Sequence, residues 1–375
     1  MRILLLSAYD ADSHQYWRKG LVSHFPEHQW TVLSLPARYF SWRLRGNSLS
    51  WAFGESAHLL QQPYDLIIAT SMTDLSSLRG FVPTLGQIPT LLYFHENQFA
   101  YPESGKEFRS VEPKILNLYS ALAADHIAFN THYNRNTFIE GASALLKKLP
   151  DQVPAGLTAH LQQNSSVLAV PLNDDCYVTT QQHTGPLHIV WNHRWEFDKG
   201  PELLYGALKT LHNENIKVSL SIVGQQFRRY PEAFDNIKAQ FPSLLRHCGF
   251  IESAVEYRQL LQDADVVLST ALHDFQGIAV LEGVAAGALP VVPNRLAYQE
   301  LFSEQYRYCS QDQQKADNQE TKALVSMLKQ LAIHKENNAL PTAPAIDAFN
   351  WKYLKPRYQE LMDLTIKRFS TKLID

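Results

Sequence analysis

The sequence has little of what most quickly betrays a function. Its 375 residues include three cysteines, Cys176, Cys248 and Cys309. They are odd in number and far apart, so no disulfide framework and no metal-ligand spacing follows from them; a reducing compartment, the cytoplasm, is expected. Charge of one sign is missing as well. Lys plus Arg is 34 against 37 for Asp plus Glu, a formal net charge of -3. That excludes a protein held to nucleic acid by overall charge, yet leaves room for a local basic face. No apolar run reaches the length of a membrane span, and the opening MRILLLSAYDADSHQYW carries too short an apolar stretch for a signal peptide. No stable membrane association is expected. Neither half of the chain shows Gly-x-Gly-x-x-Gly after its first strand, and no Walker A motif occurs, which counts against nicotinamide, flavin and P-loop chemistry. His95 and Glu96 do not begin an HExxH zinc motif, because position 99 is Phe. No metal and no cofactor is expected.

What is present is a rhythm. With 45% hydrophobic residues and a mean hydropathy of -0.25, the chain is globular and long enough for two or three domains. Solid apolar runs at Arg2–Ala8, Trp30–Leu35, Tyr64–Thr70, Thr90–Phe94, Ala123–Asn130 and Val167–Val170 read as buried strands separated by helical patterns. The polar stretch from about Leu172 to Pro186 breaks the rhythm. It then restarts at Leu187–Trp191, Val218–Val223, His247–Phe250, Val266–Ser269 and Leu289–Val292. Strands alternating with helices predict an α/β fold of two Rossmann-like, doubly wound domains facing a cleft. The expected division is an N-terminal domain over 1–172, a linker at 173–185 and a second domain over 186–345. A C-terminal helix over 346–375 would pack back on the N-terminal domain through Trp351, Leu354, Tyr358, Leu361 and Leu364.

Four segments carry chemistry. In HDFQGIAVLEGVAAGALPVV, His273–Val292, Asp274 lies in the loop after a strand and Glu282 on the helix that begins near Gly277. The N–H groups of Gly277 and Ile278 make that helix start an anion site by geometry and dipole. Two carboxylates bracketing it suit sugar hydroxyls beside a phosphate, against the blander reading of carboxylates that fasten a local loop. In WNHRWEFDKG, Trp191–Gly200, Arg194 and Lys199 follow the first strand of the second half. Paired cations there would neutralise a departing diphosphate, unless the loop is merely a solvated surface. Gln225, in the loop after Val218–Val223, belongs to the same donor side. In YFHENQFAYP, Tyr93–Pro102, His95, Glu96 and Asn97 cluster at a strand end, and His14 and Asn130 should approach the same place. In RYFSWRLRG, Arg38–Gly46, the cations Arg43 and Arg45 alternate, with the aromatic Trp42 beside them. Such groups contact phosphates and stack on unpaired bases. An ordinary basic surface around a buried Trp fits the pattern equally well.

The acidic residue, seven intervening positions and Glu282 resemble the signature of the retaining GT-B glycosyltransferases that include sucrose and glycogen synthases. That family usually has Glu at the first place, where this chain has Asp274. The resemblance implies that Arg194 and Lys199 bind the donor diphosphate and that Glu282 binds the nucleotide ribose. The glycine-rich acceptor loop common there is replaced by Asp10-Ala-Asp-Ser-His14. SHQYW, LPARYFSWRLRG, YFHENQFAYP and ALHDFQGIAVLEG, in this order along nearly the whole chain, resemble the tRNA-queuosine alpha-mannosyltransferase family. That resemblance implies GDP-mannose as donor and, as acceptor, queuosine at the wobble position of tRNA for aspartate. Asp274 and His95 would hold the mannose and act in catalysis with Arg194 and Lys199. Trp42, Arg43, Arg45, His14, Glu96, Asn97 and Asn130 would line the acceptor side. Two other functions remain open at this point: a retaining hexosyltransferase with another donor or a small-molecule, lipid or glycan acceptor, and a sugar-nucleotide or RNA-binding module without transfer.

Overall fold

The computed structural model describes residues 1–101, 110–177, 184–310 and 318–372. Pro102, positions 178–183 of the expected linker and the start of the Gln-rich stretch after position 310 lie outside them. The chain forms two compact units. One comprises Met1–Pro171 with Trp351–Asp375, the other Leu172–Asn350. Each is built on a six-stranded sheet.

Unit 1 holds β1 (Arg2–Asp10), β2 (Gln29–Pro36), β3 (Leu66–Thr70), β4 (Thr90–Phe94), β5 (His126–Phe129) and β6 (Ser165–Val167). Their spatial order is β2-β1-β3-β4-β5-β6, and every pairing is parallel. The central strands are solid apolar runs because helices cover both faces, so alternation would leave polar groups in the core. β3 and β4 are buried at every position. The last strand is Ser165–Val167 rather than Val167–Val170, and β1 runs on to Asp10. The helix that follows begins at Asp12. His14 therefore stands in a helical first turn, not in a loop.

The helix Trp351–Lys372 completes this unit. Trp351, Leu354, Tyr358 and Leu361 are buried, while Leu364 is only half-buried. Trp17 stacks on Tyr93 with centroids 4.3 Å apart, and its indole N–H donates to the Tyr358 hydroxyl at 2.9 Å. Trp351 lies directly over Gly20, where a Cβ would come within 2.6 Å of its ring. A glycine there lets helix and indole meet at van der Waals distance.

Unit 2 holds β7 (Leu187–Asn192), β8 (Val218–Val223), β9 (Leu245–Gly249), β10 (Val266–Leu268), β11 (Leu289–Pro293) and β12 (Arg307–Tyr308), in the spatial order β12-β11-β10-β7-β8-β9. All pairings are parallel again. β7 pairs with β8 on one side and with β10 on the other. The strand order thus reverses between β7 and β10, the switch point beyond which ligands bind in open α/β sheets. The loops leaving these two strands contain Arg194, Lys199 and Asp274. The helix Asn318–Glu336 also covers this sheet, burying Leu324, Val325, Leu328 and Leu331. Among the described residues no helix is long and apolar enough to cross a membrane.

Candidate functional site

In unit 2 the two switch-point loops are stitched together by backbone. The Asp198 carbonyl accepts the N–H of Leu272 at 2.8 Å and of His273 at 3.1 Å. The Thr270 hydroxyl donates to the Lys199 carbonyl at 2.7 Å and accepts the Trp191 indole N–H at 2.9 Å. Lys199 is 9% exposed. Its Nζ donates to the His273 carbonyl at 2.7 Å and lies 3.5 Å from Asp198 and 3.7 Å from Asp274. The two flanking carboxylates offset the cost of taking this ammonium out of bulk water.

Asp274 faces inward. Its Oδ1 accepts the Gly277 N–H at 2.9 Å and its Oδ2 the Tyr298 hydroxyl at 3.2 Å. Burial alone would raise its pKa. Lys199, His193 and the Gly277 N–H outweigh that and hold it below the ordinary carboxylate value. This corrects the expectation that the Gly277 N–H is open to a ligand: Asp274 already caps it. The helix itself is Ile278–Ala285, with Gly277 as its N-cap.

Glu282 stands one turn into that helix. Its Oε2 accepts the Tyr257 hydroxyl at 3.1 Å. Burial pushes its pKa up, the Tyr257 bond pulls it down, and the result is about 7. Arg194 is more peripheral. It pairs with Glu196 at 2.9 Å, and its side chain is 43% exposed. Gln225 is exposed, and its carbonyl accepts the Trp195 N–H at 3.0 Å. The two cations of the WNHRWEFDKG loop thus differ sharply in setting.

Unit 1 assembles a second cluster at the end of β4. His95 is 5% exposed and stacks on His14 with centroids 4.3 Å apart. Trp17 meets His95 edge-on at 4.9 Å. Both ring nitrogens of His95 are buried without a hydrogen-bond partner among the described residues. Burial, reinforced by His14, holds its pKa well below the ordinary value, so the ring is neutral. His14 Nε2 lies 3.2 Å from Glu96 Oε2. Asn97 and Asn130 are fasteners. Asn97 Nδ2 sits 3.0 Å from the Asn134 carbonyl, and its Oδ1 accepts the N–H of Phe99 at 2.9 Å and of Ala100 at 3.1 Å. Asn130 Nδ2 donates to the His95 carbonyl at 2.8 Å. Their amides shape the loop that presents His95 and Glu96.

The RYFSWRLRG segment inverts its expected pattern. It enters a helix, Phe40–Phe53. Trp42 is 53% exposed, whereas Arg43 is only 9% exposed and turns its Nε to the Pro36 carbonyl at 3.4 Å. Arg45 is partly exposed but engaged by Asp74 at 3.0 Å and Glu112 at 2.5 Å. Arg18 is likewise paired with Asp10 at 2.6 Å. A surface with two alternating free arginines is therefore not what forms here: Trp42 and Arg45 are exposed, Arg45 within ion pairs, and Arg43 is buried.

Two family models divide the chain. Residues 2–172 match the N-terminal domain of tRNA-queuosine alpha-mannosyltransferase, and residues 180–338 match glycosyl transferases group 1. A Drosophila melanogaster protein described as tRNA-queuosine alpha-mannosyltransferase is 28% identical over 374 residues, covering 96% of either chain. The chain belongs to the tRNA-queuosine alpha-mannosyltransferase family. It is a GT-B glycosyltransferase. The fold is shared with Anabaena HepE, crystallised with UDP, at a TM-score of 0.62 and 14% identity over 96% of this chain and 99% of that one. A glycosyltransferase from Rickettsia africae aligns at a TM-score of 0.61 and 13% identity, with 98% of both chains covered.

Several residues of the glycosyltransferase escape a reading of its sequence. His193 is 5% exposed and buries an Nε2 without a partner among the described residues. Burial, then the nearby Lys199, lowers its pKa to about 4. Tyr257 and Tyr298 hold the two carboxylates from 25 and 24 residues away in sequence, so no local spacing announces them. Gly224 has φ +146, and a Cβ on it would lie 1.9 Å from the His193 carbonyl oxygen. Gly224→Ala is expected to part the loops after β7 and β8. A lowered urea midpoint with an unchanged slope would register this as lost stability, about 1–3 kcal/mol. Among the described residues no group of three His, Cys, Asp or Glu side chains is arranged to hold a metal ion.

Proposed function

We propose that the enzyme moves mannose from GDP-mannose to the cyclopentene hydroxyl of queuosine, at the wobble position of tRNA for aspartate, with retention of configuration in the cytoplasm. The observation that carries this reading is the full-length likeness to a protein of that name, together with the N-terminal family match. In the reaction the queuosine hydroxyl oxygen bonds to the anomeric carbon. The bond from that carbon to the diphosphate breaks with its electron pair, and the leaving phosphate takes the hydroxyl proton on the same face of the sugar. Charge grows on the diphosphate as it departs, so the buried Lys199 ammonium is the main neutralising group and Arg194 its outer partner. Glu282 accepts hydrogen bonds from the ribose. The first turn of the helix Ile278–Ala285, beginning with the Ile278 N–H, faces the phosphates, and Gln225 lies on the donor side.

Asp274 takes a different part from the one the family signature suggests. Both of its oxygens have protein partners, which supports a role in holding Lys199 and the helix start rather than the mannose. His95, neutral and with unused ring nitrogens, suits a sugar hydroxyl. On the acceptor side, the exposure of Trp42 supports stacking on an unpaired base, with His14 and Glu96 at the neighbouring loop.

A second reading, a hexosyltransferase using a uridine donor, is favoured by fold relatives whose structures hold UDP or UDP-glucose. One experiment separates the two. The purified chain is incubated with queuosine-containing tRNA and, in turn, GDP-mannose, UDP-glucose, UDP-galactose and UDP-N-acetylglucosamine. The nucleosides are then analysed by mass spectrometry. Hexosylated queuosine is expected with GDP-mannose alone. Transfer only from a uridine donor would support the second reading, and no hexose from any donor would sink tRNA glycosylation.

A further inference from the structure

We infer that Tyr257 is a positioning residue of the donor site: its hydroxyl, held by Asn192, aims and charges the Glu282 carboxylate that receives the nucleotide ribose. The inference rests on the ribose reading of Glu282 and goes beyond it, because it places the control of that carboxylate on a different element. Tyr257 belongs to the helix Ala254–Gln262. Its hydroxyl donates to Glu282 Oε2 at 3.1 Å and accepts the side-chain N–H of Asn192, also at 3.1 Å. Asn192 ends β7 and further donates to the Ala279 carbonyl at 2.7 Å, in the first turn of the helix that carries Glu282. One asparagine therefore fixes both the tyrosine and the helix. The hydroxyl is left one direction in which to send its proton.

The geometry matters because a carboxylate grips two neighbouring hydroxyls only when ionised, with both oxygens accepting. Glu282 is short of help in reaching that state. The groups that face it are Tyr257 and Arg258 from the helix Ala254–Gln262 and Asp175 from the segment Asp174–Cys176. Arg258 is committed to Asp175 at 2.5 Å, so the cation and the anion largely cancel at Glu282. The Cys176 thiol, which contacts Asp175 at 3.8 Å, acts on Tyr257. Among the described residues the Tyr257 O–H is the neutral side-chain donor that remains. Burial, then Glu282 itself, keeps that phenol protonated far above neutral pH, so it donates throughout the working range. The phenol supplies the stabilising hydrogen bond that a second cation would give, without drawing an anion away from the ribose.

The sign of the effect follows. Burial raises the Glu282 pKa to about 7 and the Tyr257 bond lowers it. Deleting the bond raises it further. At pH 7 a larger share of Glu282 then carries a proton, loses an acceptor, and grips the ribose less well; at alkaline pH the carboxylate ionises again and part of the loss returns.

The test is calorimetric binding of GDP, and of 2′,3′-dideoxy-GDP, to the full chain and its Tyr257→Phe variant from pH 6 to 9.5. For Tyr257→Phe we expect GDP binding about five- to tenfold weaker at pH 7, the scale of one hydrogen bond's ordinary net contribution. The deficit should shrink by pH 9.5. The dideoxy nucleotide carries the same phosphates but no ribose hydroxyls, and the two proteins should bind it alike. An equal deficit at every pH and for both nucleotides would make Tyr257 a purely structural residue and overturn the inference. So would an unchanged affinity. If the native chain binds the two nucleotides equally tightly, it is the ribose reading of Glu282 that fails. Glu282→Gln provides a second check that does not depend on folding of the Tyr257 variant. It should flatten the ribose-dependent part of the pH profile, and a profile that persists would also refute the inference.

Discussion

Lys199→Ala is expected to lower transfer by about 10²–10³-fold while the protein remains folded. That is the scale for losing one preorganised group that meets charge as it develops. The side chain is 9% exposed, anchored on the His273 carbonyl, and flanked by Asp198 and Asp274. Its ammonium therefore waits in place and needs little reorganisation when the diphosphate departs. The same surroundings produce the counter-effect. Without Lys199, two adjacent carboxylates lose their shared cation, and Asp274 loses the largest of the influences that hold its pKa down. Some stability is lost too, so activity and melting must be measured on the same preparation. Steady-state kcat is the decisive readout. Activity within a factor of three of the parent would remove Lys199 from the donor site. Lys199→Arg should fall between the two, because the planar fork does not fit a pocket shaped around a point charge.

The largest expected loss of stability lies elsewhere. Arg295 and Glu320 form an ion pair at 2.8 Å, with side chains 4% and 1% exposed. Arg295 also donates through Nε to the Ala271 carbonyl at 3.0 Å. The pair links the helix Asn318–Glu336 to the end of β10, from which the Asp274 loop departs. Glu320→Ala leaves a guanidinium buried with its main counter-charge gone, and this typically costs 3–5 kcal/mol. Urea unfolding should show it as a fall in midpoint at constant slope. Glu320→Gln keeps the shape and one acceptor, so its loss should be smaller. If the alanine variant unfolds within about 0.5 kcal/mol of the parent, water or a neighbouring group compensates.

These predictions draw on features of unequal visibility in the sequence. β4 and β8 occupy the very residues that their apolar runs suggest, Thr90–Phe94 and Val218–Val223. Fully covered parallel strands leave that mark. β9 is harder to delimit, because LRHCG is polar and only partly buried, and its expected end at Phe250 falls outside the strand. The helix Phe40–Phe53 has apolar residues on two sides. Leu44 and Trp51 face the core, while Trp42, Leu49 and Phe53 face outward. No single stripe emerges, and R-L-R reads as an exposed alternation. At helical spacing Arg43 joins Asn47 and Trp51 on the inner side, whereas Arg45 does not.

The site divides along similar lines. Lys199, Asp274 and Glu282 stand out in the sequence because charge is concentrated within a few residues after a strand end. Trp191–Gly200 and His273–Glu282 are such stretches. Tyr257, Tyr298 and His193 do not stand out. Two are ordinary-looking tyrosines whose partners lie some 25 residues off, and the third is a histidine whose interest lies in an unmatched nitrogen. Their roles exist only once strands and helices have brought distant positions together. The direction of Asp274 was hidden for the same reason, since its partner Tyr298 comes from beyond β11.

The return of the chain to unit 1 bears on how the enzyme is made. Ribosomes deliver β1–β6 first, then all of unit 2, and only afterwards the segment beginning at Trp351. Until that segment emerges, the Trp17 indole lacks the Tyr358 hydroxyl, and the space above Gly20 lacks its indole cover. The nascent first unit must wait, incomplete, through the translation of 179 further residues. A message cut short near position 350 would release a product with an uncovered aromatic seam, the kind of surface that chaperones and proteases recognise. Closure of the first unit thereby waits on translation of the second.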